Sequence, residues 1–355
     1  MRLALTGGGT GGHIYPALEV GRHARSQGDE LLYLGSLRGM ESAACKREGV
    51  PFQGFPSEPL WSLKTPRGWK SLIRLLRARG MARRAIQAAR PDAIFSTGGY
   101  SAGPVMAAAR SLGVPYTIHE ANSVSGRSNL MFAPQAKAFT ATFRATERFV
   151  RGIRVDRTGQ PIRAALRKAS HRERREEHIL VVGGSQGSAF LNGLMPEVLR
   201  RMPLGTRCLH VAGRGQQVEP VHEGHQVREF LQGDEMAVAY ARATVVVARS
   251  GGSCAEFALF GLPSVLIPLP ASADDHQLEN AREFEDMGAA TILWQTDDTR
   301  HPDIRGASPE AVAESLQTWI HDVPRREAAR HNLGEWDVPD ATERIYGHLV
   351  EAARS

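Results

Sequence analysis

Cysteine is scarce. The 355 residues include Cys45, Cys208 and Cys254 and no others. Three widely spaced thiols exclude a disulfide framework and a clustered zinc site, and make a reducing compartment the default. Long apolar runs are missing too, since none reaches the ~18 residues a membrane span requires. The first residues carry one Arg and the short apolar run Leu3–Leu5, so no signal peptide is expected. Acidic residues are absent from one stretch. Between Pro59 and Pro91 stand Lys64, Arg67, Lys70, Arg74, Arg77, Arg79, Arg83, Arg84 and Arg90, with no Asp or Glu. The net charge of +6 is therefore a local patch on an otherwise acidic chain.

Glycine is abundant, at 36 residues, above the usual share of roughly 7 %. It gathers in short loops after apolar runs. Those runs, "RLALT", "ELLYLG", "DAIFST" and "PYTIHE", then "HILVVG", "RCLHVAG", "TVVVAR" and "SVLIPL", alternate with helical patterns. Short, apolar strands separated by helices predict parallel sheets covered on both faces, hence an α/β fold. The two halves open alike, each as strand, glycine loop, helix. Two Rossmann-like domains are expected: residues 1–160 and 161–338, with a final helix, 339–355.

The first loop has five glycines in the six positions Gly7–Gly12, followed by His13. A strand-to-helix turn built this way presents free N–H groups and the positive end of a helix dipole to an anion. Gly7-x-Gly9-x-x-Gly12 matches the dinucleotide fingerprint, but the second strand ends in Gly35-Ser36, without the ribose-binding acid. His13 and Ile14 stand where a P-loop needs Lys and Ser/Thr. In the second half, Gly183-Gly184-Ser185-Gln186-Gly187 matches the nucleophile elbow G-x-S-x-G, and Asp234 and His276 follow in order. A serine hydrolase is thus a rival, though it leaves the duplicated layout unexplained.

Further polar clusters close predicted strands, where ligands of open α/β sheets bind. "HEANSVSGRSN" begins His119-Glu120 and has Ser123 where a zincin would have its second His. "ARSGGSCAE" offers Arg249 as an anion clamp and Glu256 as an acceptor for a diol, or as a first-turn carboxylate favoured by the dipole. "DDHQLEN" puts Asp274, Asp275, His276 and Gln277 at a helix start, with Asp274 and Gln277 at capping-box spacing; capping and sugar binding suit it better than a metal. In the basic stretch, Trp69, Leu72, Ile73 and Leu76 share one helical face beside Lys70, Arg74 and Arg77, with Trp61 just before. A basic amphipathic helix with Trp is the pattern of a membrane-surface contact. The alternative is a packed helix with a basic solvated face. No nucleic-acid motif accompanies the patch.

"GGTGGHIYP", "TGGYSAGP", "HEANSVSGRSN", "TGQPIR", "GGSQGS", "RSGGSCAE" and "DDHQLENA" follow one another along nearly the whole chain. In that order they resemble the MurG family of bacterial N-acetylglucosaminyltransferases. The resemblance implies a GT-B fold, with two Rossmann-like domains facing across a cleft and the last helix returning to the first domain. It implies UDP-GlcNAc as donor, undecaprenyl-pyrophosphoryl-MurNAc-pentapeptide (lipid I) as acceptor, and a peripheral enzyme on the cytoplasmic face of the inner membrane. Anionic inner-leaflet lipids and other cell-wall synthesis proteins are implied partners. No cofactor is implied, divalent-metal stimulation being left open.

Residue by residue, the same resemblance implies His13 as general base, with Glu120 as second choice. Donor contacts would come from Thr10, Gly11, Asn122, Arg163, Ser185, Gln186, Leu231, Arg249, Glu256, His276 and Gln277. The acceptor pyrophosphate would meet Gly8, Gly9, Gly12, Gly99 and Tyr100. Trp61, Trp69, Lys70, Leu72, Ile73, Arg74, Leu76 and Arg77 would form the membrane patch. Gln160 stands where the family often has Asn, and His276 where some members have Gln.

Overall fold

A computed structural model of the chain describes residues 1–58, 61–62, 64–171, 176, 178–184, 186–270, 272, 275–296 and 298–355. Ser185 and Asp274 lie outside the described residues. The chain forms two units, Met1–Arg163 together with Val338–Ser355, and Ala164–Asp337. Arg163, expected in the second domain, belongs to unit 1.

Unit 1 holds a parallel sheet of β1 (Arg2–Thr6), β2 (Glu30–Ser36), β3 (Phe52–Phe55), β4 (Ala93–Ser96), β5 (Tyr116–Glu120), β6 (Ala138–Ala141) and β7 (Val155–Arg157), in the order β3-β2-β1-β4-β5-β6-β7. Its helices are α1 (Gly11–Ser26), α2 (Glu41–Arg47), α3 (Pro66–Ala89), α4 (Ala102–Leu112), α5 (Arg127–Phe132) and α6 (Thr146–Phe149). Unit 2 opens with α7 (Ala164–Ser170) and holds β8 (His178–Val182), β9 (Cys208–Val211), β10 (His225–Arg228), β11 (Ala243–Ala248), β12 (Ser264–Leu266) and β13 (Ala290–Ile292), parallel and ordered β10-β9-β8-β11-β12-β13. Its remaining helices are α8 (Ala189–Leu199), α9 (Gly233–Arg242), α10 (Cys254–Leu259), α11 (His276–Asp286), α12 (Pro309–His321) and α13 (Val323–Trp336). The chain then returns to unit 1 as α14 (Ala341–Arg354).

The central strands are buried on both faces, as β4 and β5 are at every position, which is why their sequences are apolar without alternation. The strand order reverses between β1 and β4 in unit 1, and between β8 and β11 in unit 2. Loops leaving such neighbours part to opposite faces and open a crevice at the strands' C-terminal ends. The three cysteines are buried, and burial pushes each thiol up, so none is a ready nucleophile.

Helix α3 starts where Thr65 caps it, accepting from Gly68 N at 3.1 Å, with Pro66 in its first turn. Its buried face consists of small residues, Gly68, Ser71, Ala78, Ala82 and Ala85, plus Ile86. Ala78, Ala82, Ala85 and Ile86 share a core with Ala102, Val105, Met106 and Ala109 of α4. The large apolar residues point the other way: Trp69 is 59 % exposed, Ile73 49 % and Leu76 57 %. Among the described residues no helix is long and apolar enough to cross a membrane.

Helix α14 is held to unit 1 by apolar packing. Ile345 and Leu349, one turn apart, are fully buried against the cluster of Leu3, Leu5, Ile14, Leu18, Tyr33 and Phe95, and Tyr346 Oη donates to Asp29 Oδ2 at 2.8 Å. Truncating Leu349 to Ala leaves a cavity that the sheet cannot refill. We expect a loss of about 2–5 kcal/mol, read as a lower denaturation midpoint for unit 1.

Candidate functional site

In unit 1 the loops after β1 and β4 start side by side, Thr6 being in register with Ser96. They then interlock. Gly8 N donates to Gly98 O at 3.2 Å. Thr97 Oγ1 donates to His13 O at 2.7 Å, and Tyr33 Oη to Gly7 O at 2.5 Å. Gly99 has φ +83°, and a Cβ there would stand 2.1 Å from Gly8 O, so only glycine fits. The Tyr100 ring packs on Gly9. Helix α1 begins after Thr10, which provides no side-chain cap, and its first turn holds no acid. First N–H groups of this kind, uncapped and without a neighbouring acid, suit an anion in geometry and sign. Gly8, Gly9, Thr10, Gly11, Gly12, Gly99 and Tyr100 are thus gathered around one helix start. Arg163 joins them: its guanidinium lies over the Tyr15 ring at 5.4 Å, and that ring abuts Gly11.

His13 is half-buried on the first turn of α1. Close enough to feel its charge is His119, fully buried, whose Nε2 contacts Gln160 Oε1 at 3.2 Å and whose Nδ1 contacts Thr140 Oγ1 at 3.0 Å. Burial pushes the His119 imidazole down to about 4, against the Gln160 bond and with help from the His13 charge. A neutral imidazole therefore backs His13 across the neutral range.

Glu120 is enclosed by the protein's own donors. It is 1 % exposed and ringed by donors: Asn122 N at 3.1 Å and Asn122 Nδ2 at 3.4 Å on Oε1, Gly126 N at 3.0 Å and Asn129 Nδ2 at 2.8 Å on Oε2. Burial raises its proton affinity while those bonds oppose the rise. The carboxylate shapes the loop that carries Asn122.

Glu41 was not anticipated. It is fully buried, and neither carboxylate oxygen has a hydrogen-bond partner among the described residues. A Cβ on Gly8 would stand 1.9 Å from its Oε1, and one on Gly39 1.5 Å from its Oε2. The glycines make room for this acid beneath the loop, so it cannot substitute for the ribose-binding acid of a dinucleotide fold.

In unit 2 the corresponding loops follow β8 and β11. Gly187, with φ +76°, would place a Cβ 2.0 Å from Ala212 O; the glycines of the elbow-like motif are explained by this fit. Gln186 is exposed at the loop's crown. Arg249, expected as an anion clamp, is 9 % exposed and already engaged. Its Nε donates to Ser188 Oγ at 3.2 Å, Nη1 to Ile267 O at 2.9 Å and Pro268 O at 3.0 Å, and Nη2 to Gln295 Oε1 at 2.7 Å. It is a strut joining strand ends. Ser250 Oγ donates to Gln277 O at 2.7 Å, and Gln277 Oε1 accepts from Leu269 N at 3.0 Å, leaving its Nε2 toward Gly251. His276 opens α11 beside it, after Asp275 in the left-handed region. Asp275 pairs with Arg300 at 3.1 Å and His301 at 3.5 Å. Glu256 Oε2 accepts from Tyr240 Oη at 2.7 Å. Half-buried Leu231 precedes α9, next to exposed Phe230, over whose ring Arg214 lies at 4.2 Å.

On α3, Arg74 is not a free patch cation: its Nη1 bonds Glu58 at 2.7 Å, and Arg38 joins the same carboxylate at 3.0 Å. Together the two arginines hold Glu58 below the ordinary carboxylate range. Lys70 and Arg77 are exposed and Leu72 half-buried, and Arg67 covers the Trp61 ring at 3.7 Å.

Two such units are the build of nucleotide-sugar glycosyltransferases. Residues 3–140 match the glycosyltransferase family 28 N-terminal domain, and residues 178–344 its C-terminal domain. MurG from Acinetobacter baumannii is similar over 99 % of both chains, at 27 % identity and a TM-score of 0.77. SnogD from Streptomyces nogalater (17 % identity, 99 % of both chains, TM-score 0.69) shares the fold. So does a Streptomyces glycosyltransferase complexed with thymidine diphosphate (18 % identity, 97 % of this chain and 99 % of that one, TM-score 0.65). The chain belongs to glycosyltransferase family 28 and is a MurG-like enzyme of GT-B fold.

The buried histidines set a pH response. His210 in unit 2, stacked on His225 at 5.6 Å, is also pushed down to about 4, first by burial and then by the His225 charge. Between about pH 6.5 and 4 an unfolded imidazole takes a proton that His119 and His210 refuse. The unfolded state then binds more protons, so stability falls as pH is lowered through that window and is unaffected above it. Each contributes roughly 3 kcal/mol at the acid end. Denaturant titrations should follow this slope, and His119→Asn should flatten it for unit 1; an unchanged slope would remove His119 as its source.

Proposed function

We propose that the protein transfers GlcNAc from UDP-GlcNAc to the C4 hydroxyl of MurNAc in undecaprenyl-pyrophosphoryl-MurNAc-pentapeptide, converting lipid I to lipid II. The observation that carries this reading is the full-length likeness to a MurG at 27 % identity. Supporting it, four of the family's motifs, "GGTGGHIYP", "TGGYSAGP", "GGSQGS" and "RSGGSCAE", lie on the loops at the strand-order reversal of each unit. The α1 N-terminus, flanked by Arg163 and Tyr100, suits a lipid-linked pyrophosphate. The loops bearing Gln186, Glu256, His276 and Gln277 suit a uridine diphosphate sugar, with Leu231 on the base side. Ser185 would join the diphosphate contacts.

The chemistry is one displacement. The acceptor oxygen attacks C1 of GlcNAc from the face opposite UDP, the C1–O bond to the β-phosphate breaks with its electron pair, and the anomeric centre inverts. His13 takes the hydroxyl proton. An imidazole can both accept and release a proton at a ring nitrogen, and the neutral His119 behind it does not compete for that proton. Asn122, held by Glu120, orients the reacting sugar. No cofactor is called for. The exposed Trp61, Trp69, Ile73 and Leu76, with Lys70 and Arg77, would rest on the anionic inner leaflet where the acceptor resides.

Two experiments test this. Calorimetry should find binding of UDP-GlcNAc and none of NADH, and His13→Ala should lower turnover at least roughly a hundredfold while donor binding persists. Indifference to uridine nucleotides sinks the reading; near-normal turnover removes His13 as base. Separately, replacing Trp69, Ile73 and Leu76 together by Ser should cut partition onto vesicles containing anionic lipid at least tenfold, since each buried apolar side chain contributes about 1.5–3 kcal/mol. Transfer to a short-chain soluble acceptor should survive. Equal partition of both proteins would retire the patch.

A further inference from the structure

Glu256 lies in the first turn of α10 and is only half-buried. A glutamate there has three side-chain torsions to fix, and fixing them opposes binding. Tyr240 bears on this. It is 1 % exposed, its ring edge-on to Phe257 (centroids 5.9 Å, planes at 75°) and tilted against Phe260 at 5.2 Å. Wedged between Phe257 of α10 and Phe260, the residue that ends it, the ring cannot swing. Its hydroxyl donates to Glu256 Oε2 at 2.7 Å, the short distance of a bond to an ionised acceptor. The carboxylate is therefore tied to a rigid body. That body is α9, whose N-terminus follows two residues after Leu231.

We infer that Tyr240 is a positioning residue for ribose recognition: it presents the Glu256 carboxylate at a fixed angle to a sugar diol, and at a fixed distance from the base-side segment that begins α9. This rests on the reading of Glu256 as the ribose contact. A vicinal diol has two hydroxyl donors at set spacing, and a carboxylate matches them only in one orientation. Pre-setting that orientation removes an ordering cost that the nucleotide would otherwise meet on binding. Merely fastening α9 to α10 would have a different signature, because a loosened helix pair weakens every nucleotide alike.

The test is Tyr240→Phe, which keeps the ring and its packing and removes one oxygen. Affinities for UDP and 2′-deoxy-UDP are measured by calorimetry on the wild type, Tyr240→Phe, Glu256→Ala and the double variant. The wild type should prefer UDP. In Tyr240→Phe, UDP should weaken about tenfold, in line with one charge-assisted hydrogen bond, and 2′-deoxy-UDP by less than threefold, so the preference narrows. In the Glu256→Ala background the tyrosine change should have no further effect on UDP. With donor and acceptor, KM for UDP-GlcNAc should rise by the UDP factor, with kcat changed less than twofold. Equal weakening of both nucleotides, or additive losses in the double variant, overturns the role of Tyr240. A wild type that prefers UDP, whose preference Glu256→Ala leaves intact, overturns the ribose reading instead, and the inference with it. A wild type that binds neither nucleotide removes the donor assignment altogether.

Discussion

Backbone meets backbone at the mouths of both sheets, and the placement of the polar groups there depends on it. At Gly99 the β4 loop runs so close to the β1 loop that a single methyl group would sit 2.1 Å from a carbonyl oxygen; at Gly187 the β8 loop does the same to Ala212. Such contacts let N–H groups from adjacent turns converge on one small volume, which loops carrying side chains could not do. The sheet decides where this happens. In unit 1 the contact falls at the β1/β4 reversal; in unit 2 it joins the loops after β8 and β9, on the other side of β8 from the β8/β11 reversal. The two halves of the chain each set a glycine loop beside a crevice, with different residues on the loops.

Around each crevice the polar groups fall into two kinds, and burial separates them. Glu120 and Arg249 are almost fully buried and surrounded by partners. A charge in that position costs so much to leave unpaired that its hydrogen bonds are structural before they are anything else. His13, Gln186, His276 and Glu256 keep some exposure and stand beside the buried ones. The pairs are spatial: Glu120 holds the Asn122 loop, the neutral His119 backs His13, Arg249 ties strand ends together at the mouth of the unit 2 sheet, and Tyr240 holds Glu256. Substitutions in the supporting set should therefore resemble substitutions in the exposed set, with an added loss of stability.

Much of this was legible in the sequence. The eight apolar runs all became parallel strands, because a strand covered on both faces has to be apolar throughout. β3, β6, β7, β10 and β13 were missed. They have three or four residues each, and "FQGF" or "VDR" carries no period long enough to read. The glycine loops and their helices were legible because φ constraints leave a local trace. The duties of charged residues were not. Arg249 and Glu120 have the residue type and the strand-end position of ligand-binding groups, and only the count of their partners shows them as struts. Glu41 had a faint signal in "RGMESA", an acid soon after β2, but its contact with Gly8 is tertiary. Arg163 fell on the other side of the domain break because a boundary read from Gly and Pro is good to only a few residues.

Helix α3 reverses the usual logic of an amphipathic helix. Its alanines face α4 and its tryptophan, isoleucine and leucine face away. Periodicity could locate an apolar stripe at Trp69, Leu72, Ile73 and Leu76 without saying that the protein's own core lies on another side. Small residues at a helix contact let the axes approach closely, so the interior is satisfied by alanine, and the large side chains forgo burial worth about 1.5–3 kcal/mol each. A protein partner would call for specific counter-charges opposite Lys70 and Arg77, at fixed places. An anionic bilayer supplies diffuse negative charge and apolar depth together, and it tolerates a stripe whose polar border is uneven. Arg74, bound to Glu58, makes the border uneven in just this way. The lipid reading therefore asks less of the surface than any other that covers the same residues.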